Sequence, residues 1–130
     1  MALLPRRHKY NAQRTRGMDG CYYPSKCEAA VADRAFLWEK AGKIDGYECQ
    51  HPVRLSFGIK WKVDFLVHTK AGDCLVEVKG FSTAEFRLKL KIYKGTDFED
   101  KLPLFVYGHE ERRGVFLKDS AWANGFEPPF

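Results

Sequence analysis

The chain has 130 residues, a length typical of one domain, and its 45% hydrophobic content is sufficient for a packed core. Lys and Arg number 22 against 17 Asp and Glu, and the resulting charge of +5 permits a polyanionic partner without requiring one. No apolar run approaches the roughly 20 residues that cross a bilayer, and the start "MALLPRRHKY" does not resemble a signal peptide. Composition therefore argues against a membrane-spanning chain, and we expect a soluble intracellular protein.

The cysteines do not follow a metal-binding spacing. Cys21, Cys27, Cys49 and Cys74 form no CxxC pair, and no CxxC/HxxxH pattern occurs in the chain. We therefore expect no zinc site. The expected state is four reduced, mostly buried thiols in a cytosolic protein.

The first part of the chain is basic and poor in apolar residues, which is typical of a flexible arm. We place this arm at residues 1–20, before a folded domain at 21–119 and an irregular C-terminal tail at 120–130. A solvated terminus and a phosphate-contacting arm both fit the pattern. The second interpretation assigns phosphate contacts to Arg6, Arg7, Lys9, Arg14 and Arg16.

The first regular element that the pattern predicts is a helix over residues 25–42. Ser25 and Glu28 have the spacing of a capping box, and small or apolar residues recur at helical spacing over a broad face. A strand is expected over 47–57, where Pro52 indicates an edge position or a bulge.

Two further strands, "WKVDFLVH" and "CLVEVKG", are separated by the hairpin loop "TKAGD" at 69–73. A second helix is expected over 82–95, with Ser82 and Glu85 at capping-box spacing and a basic stripe of Arg87, Lys91 and Lys94. A last core strand is predicted over 102–108, and a short extra strand over 114–119.

The order of these elements is helix, three strands, helix, strand, which predicts an α/β domain. The three strands form an antiparallel meander, and the strand after the second helix returns parallel to one of them. The expected architecture is a mixed central sheet flanked by helices.

Three charges stand inside strands that otherwise look buried. Glu77 and Lys79 are two residues apart, so they share one face of their strand. With a loop over 69–73, Asp64 lies opposite Val78, and a bulge or a bent strand is needed to bring it beside Glu77. One interpretation is an exposed Glu77–Lys79 ion pair with Asp64 at a strand end.

The other interpretation is a metal site. Two carboxylates in a poorly solvated place repel each other unless a divalent cation lies between them. Asp64, Glu77 and the backbone carbonyl of Val78 would supply oxygen ligands for Mg²⁺. Lys79 would then hold the attacking water or stabilise the charge that develops on phosphorus. This set suits metal-assisted hydrolysis of a phosphodiester.

The segments "VDF" and "EVKG" resemble the active-site signature of the PD-(D/E)XK nuclease superfamily, with Val63 in place of the family's proline. The resemblance implies an αβββαβ restriction-endonuclease-like core. It also implies that Asp64 and Glu77 bind metal and that Lys79 is catalytic. The family often adds an acidic residue from the first core helix, and the matching position here is Glu28.

A longer likeness, over roughly residues 8–95, is to small endonuclease-like proteins of bacteriophages, and the superfamily includes Holliday-junction resolvases. It implies a DNA substrate, Mg²⁺ with Mn²⁺ as a substitute, and action in the cytoplasm of a bacterial host. Some relatives hold an iron–sulphur cluster through cysteines that follow the nuclease core. None follows Cys74 here, so we expect no such cluster.

The sequence thus predicts a Mg²⁺-dependent DNA endonuclease, selective for branched DNA, with Gln50 as a further candidate at the site. Two alternatives stay open: a nuclease subunit of a recombination or transposition assembly, and a DNA-binding module that does not cleave. Symmetric cutting of a junction favours a homodimer. Four aromatic residues near the C-terminus either form the dimer interface or fold back over the core: Phe116, Trp122, Phe126 and Phe130.

Overall fold

A computed structural model describes residues 14–79, 83–95, 101–108, 118–122 and 129 of the chain. Within these residues the α-helices and strands follow in the order β1 (Thr15–Arg16), β2 (Tyr22–Tyr23), α1 (Lys26–Lys40), β3 (Ile44–Arg54), β4 (Lys60–Thr69), β5 (Gly72–Lys79), α2 (Ala84–Gly95), β6 (Leu104–Gly108) and β7 (Lys118–Trp122). No helix of the described part is long and apolar enough to cross a membrane.

The main sheet has the order β3-β4-β5-β6-β7. The strands β3, β4 and β5 form an antiparallel meander, β6 runs parallel to β5, and β7 is antiparallel to β6. The α/β class and the mixed sheet are therefore confirmed, and β3 with its Pro52 is an edge strand, as predicted. Strand β7 crosses the expected boundary between the domain and its tail at residues 119 and 120.

Helix α1 begins where the sequence predicts. The Ser25 side chain accepts a hydrogen bond from the Glu28 backbone N–H at 3.1 Å and so caps the first turn. The helix ends at Lys40, and Gly42 follows with a φ of 74°, a conformation that glycine adopts without strain. The cap fixes the start of α1, and with it the place of Glu28.

The two helices cover opposite faces of the sheet. Residues of α1 pack with alternate residues of β5 and β6, such as Val76 and Phe105, in one core cluster. In the second cluster, Phe86 and Tyr93 of α2 place their rings 6.2 and 6.1 Å from Trp61. Two layers of helix thus enclose the middle of the sheet.

The cap of α2 differs from the prediction. The Thr83 side chain accepts from the Phe86 backbone N–H at 3.1 Å, and the helix begins at Ala84. Thr83 takes the position that the sequence assigned to Ser82, which lies outside the described residues. Both have a side-chain hydroxyl that can cap, so the pattern alone left the register of this cap open by one residue.

The predicted arm is folded at its C-terminal end. Strands β1 and β2 form a small hairpin, and Asp19 between them accepts hydrogen bonds from the hydroxyls of Tyr23 at 2.5 Å and Tyr47 at 2.8 Å. The Met18 backbone N–H donates to Asp33 of α1 at 2.7 Å. The flexible arm predicted for residues 1–20 therefore does not extend to residue 20. Its first thirteen residues lie outside the described part.

The expected burial of the cysteines was wrong. All four are free thiols, but only Cys74 is buried; Cys27 is half-buried, and Cys21 and Cys49 are exposed. Cys21 follows the turn of the β1–β2 hairpin and Cys49 lies on the edge strand, and both line the cleft described below.

Candidate functional site

The site lies where β4 and β5 separate. Their ladder runs from Thr69 opposite Gly72 to Phe65 opposite Val76 and ends there, while β5 continues along β6 as far as Lys79. The turn contains only Lys70 and Ala71: two residues of the predicted loop, Gly72 and Asp73, pair on its β5 side, but only Thr69 pairs on its β4 side. The register assigned from the sequence was therefore wrong by one residue. Continued regularly, the observed register sets Asp64 against Glu77.

Asp64 bridges the gap that this separation leaves. Its Oδ2 accepts a hydrogen bond from the Val78 backbone N–H at 2.8 Å, so a side chain replaces a bond of the ladder. The sequence nominated the backbone carbonyl of Val78, whereas the contact between Asp64 and Val78 in the structure is through the backbone N–H. Asp64 is only 8% exposed.

A local irregularity aims the Asp64 side chain. Val63 packs in the cluster under α2 and Phe65 in the cluster under α1, although alternation would place both on one face. On β3, the ladder omits Gln50, which has a φ of 55°. A positive φ is costly for a residue other than glycine and concentrates at functional sites. The sheet is therefore distorted at Asp64, where the sequence analysis expected a bulge or a bent strand.

Gln50 belongs to the same place. Its Nε2 lies 3.5 Å from Oδ1 of Asp64, so the two carboxylate oxygens of Asp64 have donors from two neighbouring strands. The position fits the sequence prediction that Gln50 faces the site.

Glu77 is the most deeply buried charged residue at the site. Its side chain is 2% exposed, and Oε2 has no hydrogen-bond partner among the described residues. Burial, together with the hydrogen bond and charge of Asp64, raises the pKa of Glu77 to about 10. At neutral pH this carboxyl therefore holds a proton unless a cation takes its place.

Glu28 and Lys79 complete the cluster. Burial and the charge of Asp64 raise the pKa of Glu28 to about 7, against the opposing effect of the Lys79 ammonium. The Lys79 ammonium likewise acts to lower the pKa of Glu77. The Nζ of Lys79 lies 5.0 Å from the centre of the Phe86 ring, and that contact holds it at the start of α2. The fold thus brings together the four candidates that the sequence nominated as catalytic.

A cleft of about 260 Å³ opens beside this cluster. It is lined by residues of the β1–β2 hairpin, the start of α1 and the two strands β3 and β4: Cys21, Tyr22, Tyr23, Pro24, Glu28, Cys49, Gln50 and Asp64. The sequence reasoning missed the contribution of the hairpin because it ended the arm at residue 20 and assigned no helix or strand to residues 21–24. The signal available was "GMDGCYYP", in which two glycines and an aspartate mark a tight turn.

The predicted phosphate-binding residues fall into three groups. Arg14 and Arg16 are exposed on the β1–β2 hairpin, and the Arg14 guanidinium lies 4.5 Å from the centre of the Tyr22 ring, at the rim of the cleft. The stripe of Arg87, Lys91 and Lys94 is exposed on α2, which packs on the other face of the sheet. The remaining candidates lie outside the described residues: Arg6, Arg7 and Lys9.

The predicted role of the four C-terminal aromatic residues falls mostly on residues outside the described part of the chain. Of the four aromatics, only the backbone of Trp122 is described, paired with Leu104 at the end of β7. Phe116, Phe126 and Phe130 lie outside the described residues.

The cluster has the donor chemistry for a hard divalent cation. No three His, Cys, Asp or Glu side chains in the described ranges are grouped as a ready-made metal site. Mg²⁺, however, is commonly held by one or two carboxylates, with waters and phosphate oxygens as the remaining ligands. Asp64 and Glu77 supply two carboxylates, and the buried Oε2 of Glu77 lacks a partner. On this observation the residues fit Mg²⁺.

No family model matches the chain, and neither a curated protein nor a solved structure matches it.

Proposed function

We propose that the protein is a Mg²⁺-dependent DNA endonuclease on a restriction-endonuclease-like core. The observation that carries the proposal is the pair of buried carboxylates, Asp64 and Glu77, at the point where β4 and β5 separate. A buried carboxyl oxygen without a hydrogen-bond partner, the Oε2 of Glu77, destabilises the fold, and a cation bound beside Asp64 and Glu77 would give that oxygen a partner and neutralise both carboxylates.

The roles of the residues follow from their positions. Asp64 and Glu77 would hold the cation, with Glu28 and the Val78 carbonyl as further oxygen donors. When bound, Mg²⁺ supplies a positive charge that polarises the scissile phosphate and lowers the pKa of a coordinated water. Lys79 donates hydrogen bonds to the attacking water or to a phosphate oxygen and offsets the negative charge of the transition state. Gln50 donates to Asp64 and holds its orientation.

Charge around the cleft supports a nucleic acid as the substrate. Arg14 and Arg16 lie on the hairpin that forms one wall, and both side chains are exposed. Cations placed in this way bind phosphates without reading base edges, which suits selection by DNA shape. Because a four-way junction is cut symmetrically by two sites, a homodimer belongs to the proposal.

Cleavage by the purified protein tests this function. Labelled junction, fork, duplex and single-stranded DNA are incubated with Mg²⁺, with Mn²⁺ and with chelator. We expect cutting only with the cations, and a loss of at least about 100-fold for Lys79→Ala and Glu77→Ala. Lys70→Ala is the matched control, because Lys70 lies at the opposite end of the same two strands and pairs with Asp45 on the surface.

Urea unfolding and solution mass accompany these assays, so that loss of folding is not mistaken for loss of chemistry. Full activity in folded Lys79→Ala or Glu77→Ala would remove the site assignment. DNA binding without cleavage under every condition would identify a non-cleaving binding module instead. Cleavage that appears only when a partner protein is added would indicate a subunit of a larger assembly.

A further inference from the structure

We infer that the β3–β4 hairpin is a DNA-binding element whose tip residue, Phe57, stacks on a base exposed where the stacking of a duplex is interrupted. This inference rests on the proposed function and names the feature of the substrate that the site selects. It concerns a surface that the chemistry at Asp64 and Glu77 does not use.

The turn at the tip is built in a way that disfavours phenylalanine. Phe57 and Gly58 have φ values of 62° and 74°, and the Ile59 backbone N–H bonds to the Ser56 carbonyl at 3.4 Å. Two consecutive positive φ angles define a type I′ turn, which prefers Asn-Gly or Gly-Gly. A bulky residue in the left-handed region is strained, and Phe57 offers no side-chain hydrogen bond to offset that strain.

The side chain gains nothing in the folded protein from this strained position. Phe57 is 96% exposed, more than any other large hydrophobic residue that the structure describes as exposed. Its neighbours on either side of the turn, Leu55 and Ile59, pack in the cluster under α2, so the ring stands alone beyond the core. An aromatic ring that is both strained and fully exposed is suited to an external partner with a flat apolar face.

The charges on the hairpin identify the class of that partner. Arg54 and Lys60 are register partners directly opposite each other, and Lys62 follows on the same side of β4; all three are exposed. Like charges opposite each other destabilise a sheet unless an anion lies between them. No carboxylate occurs from residue 49 to residue 63, and no ion pair among the described residues includes these cations.

The basic face of the hairpin leads to the candidate site. The pairs Arg54 with Lys60 and Pro52 with Lys62 are followed on the same strands by Gln50 and Asp64, which line the cleft. Their other neighbours, such as Trp61, turn toward α2. An extended strand advances about 3.4 Å per residue, so about 14 Å separates Lys60 from Asp64. A DNA strand that lies along this face can therefore contact the candidate site and Phe57 at the same time.

A nucleic acid is the one partner that combines closely spaced anions with flat apolar faces. In an intact duplex the bases are stacked on each other, and Phe57 has no free face to contact. At a branch point, fork or flap, a terminal base pair exposes its face, and stacking on aromatic side chains contributes strongly to such binding. The hairpin therefore selects DNA whose stacking is interrupted.

Binding measured in chelator tests the inference independently of cleavage. Fluorescence anisotropy compares a four-way junction, a forked duplex and a linear duplex of equal length at one salt concentration. We expect Phe57→Asn to lower affinity for junction and fork by about 10- to 100-fold, to leave the linear duplex unchanged within about twofold, and to raise the urea midpoint because Asn suits the turn. Phe57→Trp should retain binding, and 2-aminopurine at the branch point should report the contact by a change in fluorescence.

The outcomes separate this inference from the proposed function. Equal losses on all three DNAs, or no loss on any, would overturn the stacking role while leaving Mg²⁺-dependent cleavage standing. A wild-type protein that binds none of the DNAs in chelator would overturn the stacking inference, and the cleavage assay with Mg²⁺ would decide the proposed function separately. Unchanged DNA binding together with a changed mass in solution would assign Phe57 to a protein interface and overturn the inference.

Discussion

Replacement of Glu77 by glutamine should stabilise the metal-free protein above about pH 6, and increasingly so as the pH rises. Glu77 is 2% exposed, and burial with Asp64 beside it raises its pKa to about 10 from the ordinary 4.5. Between these values the folded protein holds a proton that the unfolded chain has released. Folding therefore takes up a proton, and stability falls as the pH rises. Glutamine has nearly the same shape, stays neutral and removes this dependence.

The magnitude follows from the width of that pH window. Each pH unit above 4.5 costs the wild type about 1.4 kcal/mol, which gives an upper bound of about 4 kcal/mol at pH 7.5. We expect about 2 kcal/mol, because the protonated carboxyl donates to the Asp64 carboxylate and the amide of glutamine donates more weakly. The same offset should leave Glu77→Gln about 1 kcal/mol less stable than the wild type at pH 5, so the two stabilities should become equal at about pH 6.

Urea unfolding in chelator at pH 5.5, 6.5, 7.5 and 8.5 measures the difference directly. Glu39→Gln, at the exposed end of α1, controls for the general effect of removing one negative charge. Glu28 titrates in both proteins and so nearly cancels from the comparison. Addition of Mg²⁺ should stabilise the wild type and not Glu77→Gln, because only the wild type offers both carboxylates to the cation.

Two results would refute this reasoning. A stability difference that is the same at every pH would mean that the Glu77 carboxyl titrates alike in the folded and unfolded chain. A Glu77→Gln protein that is less stable than the wild type at pH 8.5 would mean that Glu77 is ionised and favourably paired without a metal.

The remaining predictions concern α1 and the pH dependence of cleavage. Ser25→Ala removes the acceptor for the Glu28 N–H and should lower the free energy of unfolding by about 1 kcal/mol in a urea titration. Ser25→Asp should restore it, and equal stability of Ser25→Ala and wild type would show that the cap is not formed in solution. Burial raises the pKa of Glu28 to about 7, so its carboxylate forms only as the pH passes that value. Cleavage should therefore increase between about pH 6 and 8, and Glu28→Gln should flatten that rise in a rate–pH profile. An unchanged profile in Glu28→Gln would remove Glu28 from the site.

Local patterns were sufficient for helix α1 and for the three strands of the meander. The cap at Ser25 and the small-residue face of α1 are properties of neighbouring residues, and the structure bears them out. The meander of β3, β4 and β5 followed from short loops between apolar runs. Predicted and observed boundaries differ where two neighbouring residues can both cap a helix, as Ser82 and Thr83 can at the start of α2.

The same patterns could not supply the register at the site. One residue in the β4–β5 turn decides whether Asp64 is set against Glu77 or Val78, and both loop lengths suit a hairpin. The packing of Phe65 under α1 and of Val63 under α2 then selects the bend at Asp64. Such a bend depends on which side chains fill the two layers, which no short segment encodes.

By itself the sequence determined which residues carry unusual chemistry: two carboxylates and a lysine stand in apolar strands, where their burial requires a partner. Only the tertiary structure decided that Glu28, Asp64, Glu77 and Lys79 lie close together, that residues 21–24 form a wall of the cleft beside them, and that Phe57 projects from a strained turn. The physical reason is that periodicity and capping patterns report only on residues that lie close together in the sequence. Convergence of a helix end with two separating strands is fixed by packing between residues far apart in the sequence.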